Sequence, residues 1–181
     1  MNRKWLWLNA PGAMLPYWVL AALGLSFLSS DIPLLGKIME TVFRNNALNL
    51  LGALLGYCLI AAGCSIAFFV VVLRQKWDAL VLAKTAVTVK LCQIPAYILI
   101  FLLGVVFFFS IFTFAFSLAL AVLDGLALLL SGLLTVAAVI RADRQGIYSF
   151  GDHAWVIALQ FIFCADVVAA IVFYKKLKNA K

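Results

Sequence analysis

Charge is what this chain has least of. Only 12% of its 181 residues are Asp, Glu, Lys or Arg, against roughly 25% in an average soluble domain. A chain that is 67% hydrophobic, with a mean hydropathy of +1.15, cannot cover itself with polar surface. The bilayer must be its solvent. Histidine occurs once, as His153, and the four cysteines form no CxxC pair. Neither a zinc site nor a dithiol redox pair is implied, and a buried Cys behaves as a small hydrophobe. GxSxG, HExxH and phosphate-loop motifs are also missing. No catalytic residue, cofactor or metal is therefore implied, and the chain is expected not to be an enzyme. The net charge of +7 is scattered between apolar runs, so it forms no basic face for nucleic acid. It is read as a topology signal and as headgroup contact.

What the chain does have is long apolar runs. Five can be marked, at about 13–30, 47–73, 91–113, 116–140 and 154–174. Lipid cannot satisfy free backbone groups, so these are read as helices, and no alternating barrel pattern is seen. The expected fold is all-α: one polytopic transmembrane helix bundle covering 1–181, with four to five spans. Arg3 and Lys4 before the first run imitate a secretory leader, but LSFLSSD offers no A-x-A-like cleavage site. Residues 31–46, DIPLLGKIMETVFRNN, place Leu34, Leu35, Ile38, Met39, Val42 and Phe43 on one helical face. With Asp31 as N-cap and Pro33 in the first turn, this reads as an amphipathic helix lying in the interface.

Basic residues set the orientation. Arg74, Lys76, Lys84 and Lys90 follow the second run, and Arg141 and Arg144 follow the fourth. The link at 110–118 has none. Loops 74–90 and 141–152 and the N-terminus are expected in the cytoplasm of a multi-pass cell-membrane protein. Five spans would then strand Lys175, Lys176, Lys178 and Lys181 outside. That weak balance points to one of the five segments being re-entrant or interfacial.

Four groups of residues are candidates for function. Gly52, Gly56 and Gly63 are small residues at helical spacing, suited to close helix packing. Ser149 and Asp152 read as a capping-box-like helix start rather than as part of a catalytic pair with His153. Lys90, Gln93 and Tyr97 stand at i, i+3 and i+7, so they share a face. They read either as a snorkelling lysine and an interfacial tyrosine at a helix start or as the lining of a shallow cytoplasmic cavity, with Pro95 starting or bending the helix. The stretch KLCQIPAY, 90–97, resembles a segment of uncharacterised small multi-pass bacterial membrane proteins, and that resemblance implies no activity. The fourth group surrounds the carboxylates of the apolar runs. Asp124 interrupts SLALAVLDGLALLL, where Asp124-Gly125 competes as a turn. Placed inside the fourth span, Asp124 shares a stripe with Ser117, Ala121, Ser131 and Thr135. From Asp124 to Arg141 is about 25 Å of helix, near the outer edge of a core roughly 30 Å thick. Asp166 lies about 21 Å along the fifth span from Asp152. The two aspartates are expected at one depth, where either they share a proton or a cation, with Ser131 and Thr135 continuing the path, or each merely caps or bonds its local helices near the outer interface.

Two functions compete. The first is an accessory, assembly or immunity-type membrane protein acting through helix contacts with another membrane protein or a second copy. The alternative is a small transporter or channel component using the aspartates for a proton or small cation.

Overall fold

The computed structural model describes residues 3–110 and 113–180. Among them every regular element is helical. A 3-10 turn, Arg3–Asn9, leads into α1, Ala10–Leu28. Then come α2, Pro33–Phe43; α3, Ala47–Arg74; α4, Ala79–Phe108; and α5, Phe114–Arg144. The chain closes with α6, Phe150–Ala158; a 3-10 turn, Leu159–Phe161; and α7, Ala165–Asn179. Leu6–Leu28 and helices α3, α4 and α5 are long and apolar enough to cross a membrane. Their first and last turns reach beyond a core roughly 30 Å thick.

Helix α5 is the axis of the bundle. Its most apolar stretch is 56% buried, against 22% to 28% for the other three spans. Small residues make this possible: Ala127, Gly132, Ala137, Ala138 and Ala142 are all buried, and small side chains let backbones approach closely. Gly132 packs on Gln160, whose Cβ would lie 3.3 Å from an added methyl. Gly12 of α1 is tighter still, since an added Cβ would meet the Ser65 Oγ of α3 at 2.6 Å.

Two expected elements change. Helix α4 starts at Ala79, not near 91, so the expected loop 74–90 shrinks to a short link and Lys84 and Lys90 become helical. The reason is local. Asp78 accepts a hydrogen bond from Leu80 N at 3.0 Å and caps α4 early. Pro95 therefore sits inside a continuous helix and does not start one. The expected fifth span, 154–174, is not one helix. It breaks where Cys164 adopts φ +66°, a conformation that a non-glycine residue rarely takes. Arm α7 is about 22 Å long at 1.5 Å per residue, short of a full crossing.

The broken segment is a hairpin whose two ends meet. The Tyr148 hydroxyl donates to the Lys176 carbonyl at 3.1 Å. His153 meets Phe173 edge to face at 5.4 Å, and the Lys176 ammonium sits 5.6 Å above the Trp155 ring. The tip instead reaches into the bundle, where Phe163 meets Tyr97 at 5.7 Å and Phe101 at 6.3 Å. The chain therefore returns to the end of the bundle from which α6 started. Leu6 and Leu8 pack into the same end, against the cluster of Phe68, Val72 and Trp77. That end carries Arg74, Lys76, Lys84, Arg141, Arg144, Lys175, Lys176 and Lys178, and is called the basic end below. The opposite end holds α2, where Lys37 and Arg44 balance Asp31 and Glu40, and is the neutral end. Lys181 and part of the 110–118 link, residues 111–112, lie outside the described residues.

Helix α2 keeps the expected amphipathic form, with Met39 buried and Leu34 and Val42 more than 60% exposed. Apolar side chains at that level suit an interfacial helix. Its N-cap is Ile32 rather than Asp31, with Pro33 in the first turn as expected. Ser149 is the N-cap of α6 but makes no side-chain capping bond. The Phe150 amide donates to Asp143 Oδ1 at 3.0 Å instead.

Candidate functional site

Two prolines shape the polar interior. Pro16 in α1 cannot donate to the carbonyl four residues before it, at Gly12. Lipid would leave that oxygen without a partner. Gln93 supplies one: its Nε2 donates to Gly12 O at 3.4 Å and to Ala13 O at 3.1 Å. Pro95 likewise leaves Leu91 O of α4 without its helical donor, and one residue further on the Tyr17 hydroxyl of α1 donates to Cys92 O. Each proline-bearing helix thus receives a side-chain hydrogen bond from the other. Gln93 is fully buried by this role. It does not line a cytoplasmic cavity, contrary to that reading of the sequence. Tyr97 is also buried, and its hydroxyl donates to Gln93 Oε1 at 3.3 Å.

Lys90 is fully buried too, and its partner lies on the hairpin. Its Nζ donates to Asp166 Oδ2 at 2.5 Å, with both side chains almost wholly inaccessible. From Ala79 to Lys90 is about 17 Å along α4, which places the pair inside the membrane region. Asp166 occupies the first turn of α7, where the helix N-terminus favours a negative charge. Each isolated ion would be costly at this depth. Together they fasten the re-entrant hairpin to a spanning helix. The sequence reading had Asp166 share a proton or a cation with Asp124; the charge bonded to it is Lys90 of α4.

Asp124 stands within continuous helix α5, as the spanning reading of SLALAVLDGLALLL expects. It is only partly buried, yet its Oδ1 is inaccessible and has no hydrogen-bond partner among the described residues. It lines a recess of about 370 Å³ between α4 and α5, in the half of the bundle toward the neutral end. Ile100, Phe101, Gly104, Phe108, Phe109 and Ser117 form much of the wall. The Ser117 hydroxyl is occupied, donating to Gly104 O at 3.0 Å.

Asp124 and Asp166 are within electrostatic reach of each other and of Tyr97, but they are not equivalent. Asp166 has a lysine, whereas Asp124 has a cavity. Ser131 lies beside the Tyr97 hydroxyl and donates back to Leu128 O at 3.1 Å. Thr135 is buried with its hydroxyl unpartnered among the described residues. Polar side chains thus gather as a seam with gaps: Tyr97 bonds to Gln93 and Lys90 to Asp166, while Asp124 lies within electrostatic reach of Tyr97 without a bond to it. The expected packing glycines lie elsewhere. An added Cβ at Gly52, Gly56 or Gly63 would meet nothing within 4 Å.

The fold and site together define an α-helical bundle with four candidate membrane spans and a charge pair inside it. Comparisons with family models, curated proteins and solved structures find no match.

Proposed function

We propose that this chain is a small, non-enzymatic membrane transport protein that takes up and releases a proton at Asp124. One observation carries the reading. Asp124 borders a recess at one end of a polar seam, and one of its carboxylate oxygens is inaccessible and unpartnered among the described residues. An ionisable group inside a membrane is costly to keep and by default marks a working site. Asp166 is the less suited of the two carboxylates, because Lys90 already neutralises it. Tyr97 and Ser131 supply hydroxyls between the two, and hydroxyls both donate and accept protons.

The basic end is assigned to the cytoplasm. Folding the C-terminal lysines back to the side of Arg74, Arg141 and Arg144 turns a weak charge balance into a strong one. A cysteine at Lys178 and one at Lys76 should then share the same protection from an impermeant reagent in intact cells. Labelling of either from outside overturns the orientation.

The proton reading is tested with purified protein in vesicles containing a pH-sensitive dye. Under an imposed membrane potential the native protein should move protons and Asp124→Asn should not. Undiminished flux in Asp124→Asn overturns the proposal. The accessory reading retains one specific support: the open flank at Gly52, Gly56 and Gly63, which presents a small-residue surface suited to another helix.

A further inference from the structure

We infer that the recess beside Asp124 binds a lipophilic organic cation, in competition with the proton. This rests on the reading of Asp124 as the working carboxylate and names what else that carboxylate would hold. The recess measures about 370 Å³, inside the roughly 300–1,000 Å³ range of small-molecule sites. Its wall carries three phenylalanines, Phe101, Phe108 and Phe109, and one charged group, Asp124. An inorganic cation does not suit it. Hard cations need several oxygen ligands. Here Asp124 offers one carboxylate, and the Ser117 hydroxyl is already donating to Gly104 O. No cluster of three His, Cys, Asp or Glu side chains exists among the described residues. A neutral amphiphile would make no use of the Asp124 carboxylate at the wall.

An organic cation uses both features. Aromatic faces attract a diffuse positive charge, and Asp124 supplies the single counter-charge. The recess opens at the side of the bundle, where exposed Phe101, Val105 and Phe108 face the lipid region. A ligand already dissolved in the bilayer can enter there without crossing water. Because one carboxylate carries the charge, a bound cation and a bound proton exclude each other. The titratable groups facing it from neighbouring elements are Tyr97 on α4 and Asp166 on α7, the latter held by Lys90. Tyr97 donates its hydroxyl to Gln93, and the Asp166 carboxylate is paired with the Lys90 ammonium.

The probe is tetraphenylphosphonium, measured by equilibrium dialysis against the full chain in lipid nanodiscs. Binding should weaken by about tenfold or more in Asp124→Asn, the loss expected for one desolvated charge contact. It should weaken on acidification and remain unchanged in Asp152→Asn. Gly104→Leu fills the recess from α4 without touching the carboxylate, and should also reduce binding. This second variant keeps the test decisive if Asp124→Asn does not fold. Neutral triphenylphosphine oxide should bind much more weakly than the phosphonium. Equal binding of the two probes, or native-like phosphonium binding in a folded Asp124→Asn or Gly104→Leu protein, overturns the inference. The vesicle assay separates this from the proton reading. Asp124-dependent flux without phosphonium binding defeats only the ligand. Asp124-dependent binding without flux upholds the ligand site and defeats transport.

Discussion

Asp166 and Asp124 are two carboxylates in apolar surroundings, and the protein treats them in opposite ways. Asp166 is sealed, sits at a helix N-terminus and is bound to Lys90. Asp124 is mid-helix, half-buried, and borders a recess with one oxygen unpartnered among the described residues. The first arrangement closes an electrostatic account within the protein, because both charges and the helix end satisfy one another. The second leaves it open for something that arrives. Membrane depth alone therefore does not tell a working carboxylate from a structural one. The presence of a partner does.

The sharpest way to break the comparison is to remove one half of the closed pair. Lys90→Met leaves Asp166 buried and unpaired, and Asp166→Asn does the reverse. Each should destabilise the fold by about 3–5 kcal/mol, the cost of stranding a buried ion. Thermal unfolding in detergent checks this. The double variant Lys90→Met/Asp166→Leu should recover much of the loss, because an apolar pair removes both desolvation penalties. A double variant no better than the singles would mean that the pair contributes net stability through its geometry.

Next in size comes Gly12→Ala. The added methyl would meet Ser65 Oγ at 2.6 Å, and overpacking of this kind costs about 1–3 kcal/mol. Gly52→Ala makes the control, since nothing lies within 4 Å there. It should be neutral, or stabilising by up to about 1 kcal/mol through the better helix propensity of Ala. The pair asks where α1 and α3 meet, and so whether the seam beside Gln93 is held by backbone contact.

That contrast also shows what the sequence could reveal. The GxxxG spacing at Gly52 and Gly56 is a packing signal, yet the tight glycines are Gly12, Gly36 and Gly132, which carry no such repeat. Hydrophobic runs expose the spans because length and apolarity are local properties. Asp124 was legible as intramembrane for the same reason. The Lys90–Asp166 bridge was not, because it joins residues far apart in sequence. Its signal was indirect: a lysine twelve places beyond a good N-cap, Asp78, must lie at membrane depth and therefore needs a counter-ion. The hairpin was foreshadowed by the excess of lysines at the C-terminus, which five full spans would have placed on the wrong side. The bend at Cys164 left no glycine or proline to mark it.

A smaller effect is expected at the link between the two regions. Tyr97→Phe removes a hydroxyl that donates to Gln93 Oε1 at 3.3 Å. The loss should be about 1 kcal/mol, because Gln93 keeps both of its bonds to α1. If the seam conducts protons, flux should fall in this variant while phosphonium binding at Asp124 persists. Native flux in Tyr97→Phe would separate the two carboxylates functionally and leave Asp124 exchanging protons only with the recess.

The smallest effect on stability should come from the residue with the largest effect on function. Asp124→Asn retains size and shape and removes a charge that bonds to nothing among the described residues. No hydrogen bond is broken, and the desolvation cost of a carboxylate oxygen is relieved. The expected change in stability is therefore less than about 1 kcal/mol, neutral or favourable. Asp166→Asn, chemically the same substitution, should cost several times more. Unfolding both variants in one detergent measures the difference directly. A native-like transition for Asp124→Asn, combined with lost proton flux, is the signature of a group held in readiness rather than in service to the fold. A fall in stability matching that of Asp166→Asn would mean that Asp124 is bound to a structural partner, and the distinction between an open and a closed carboxylate would collapse.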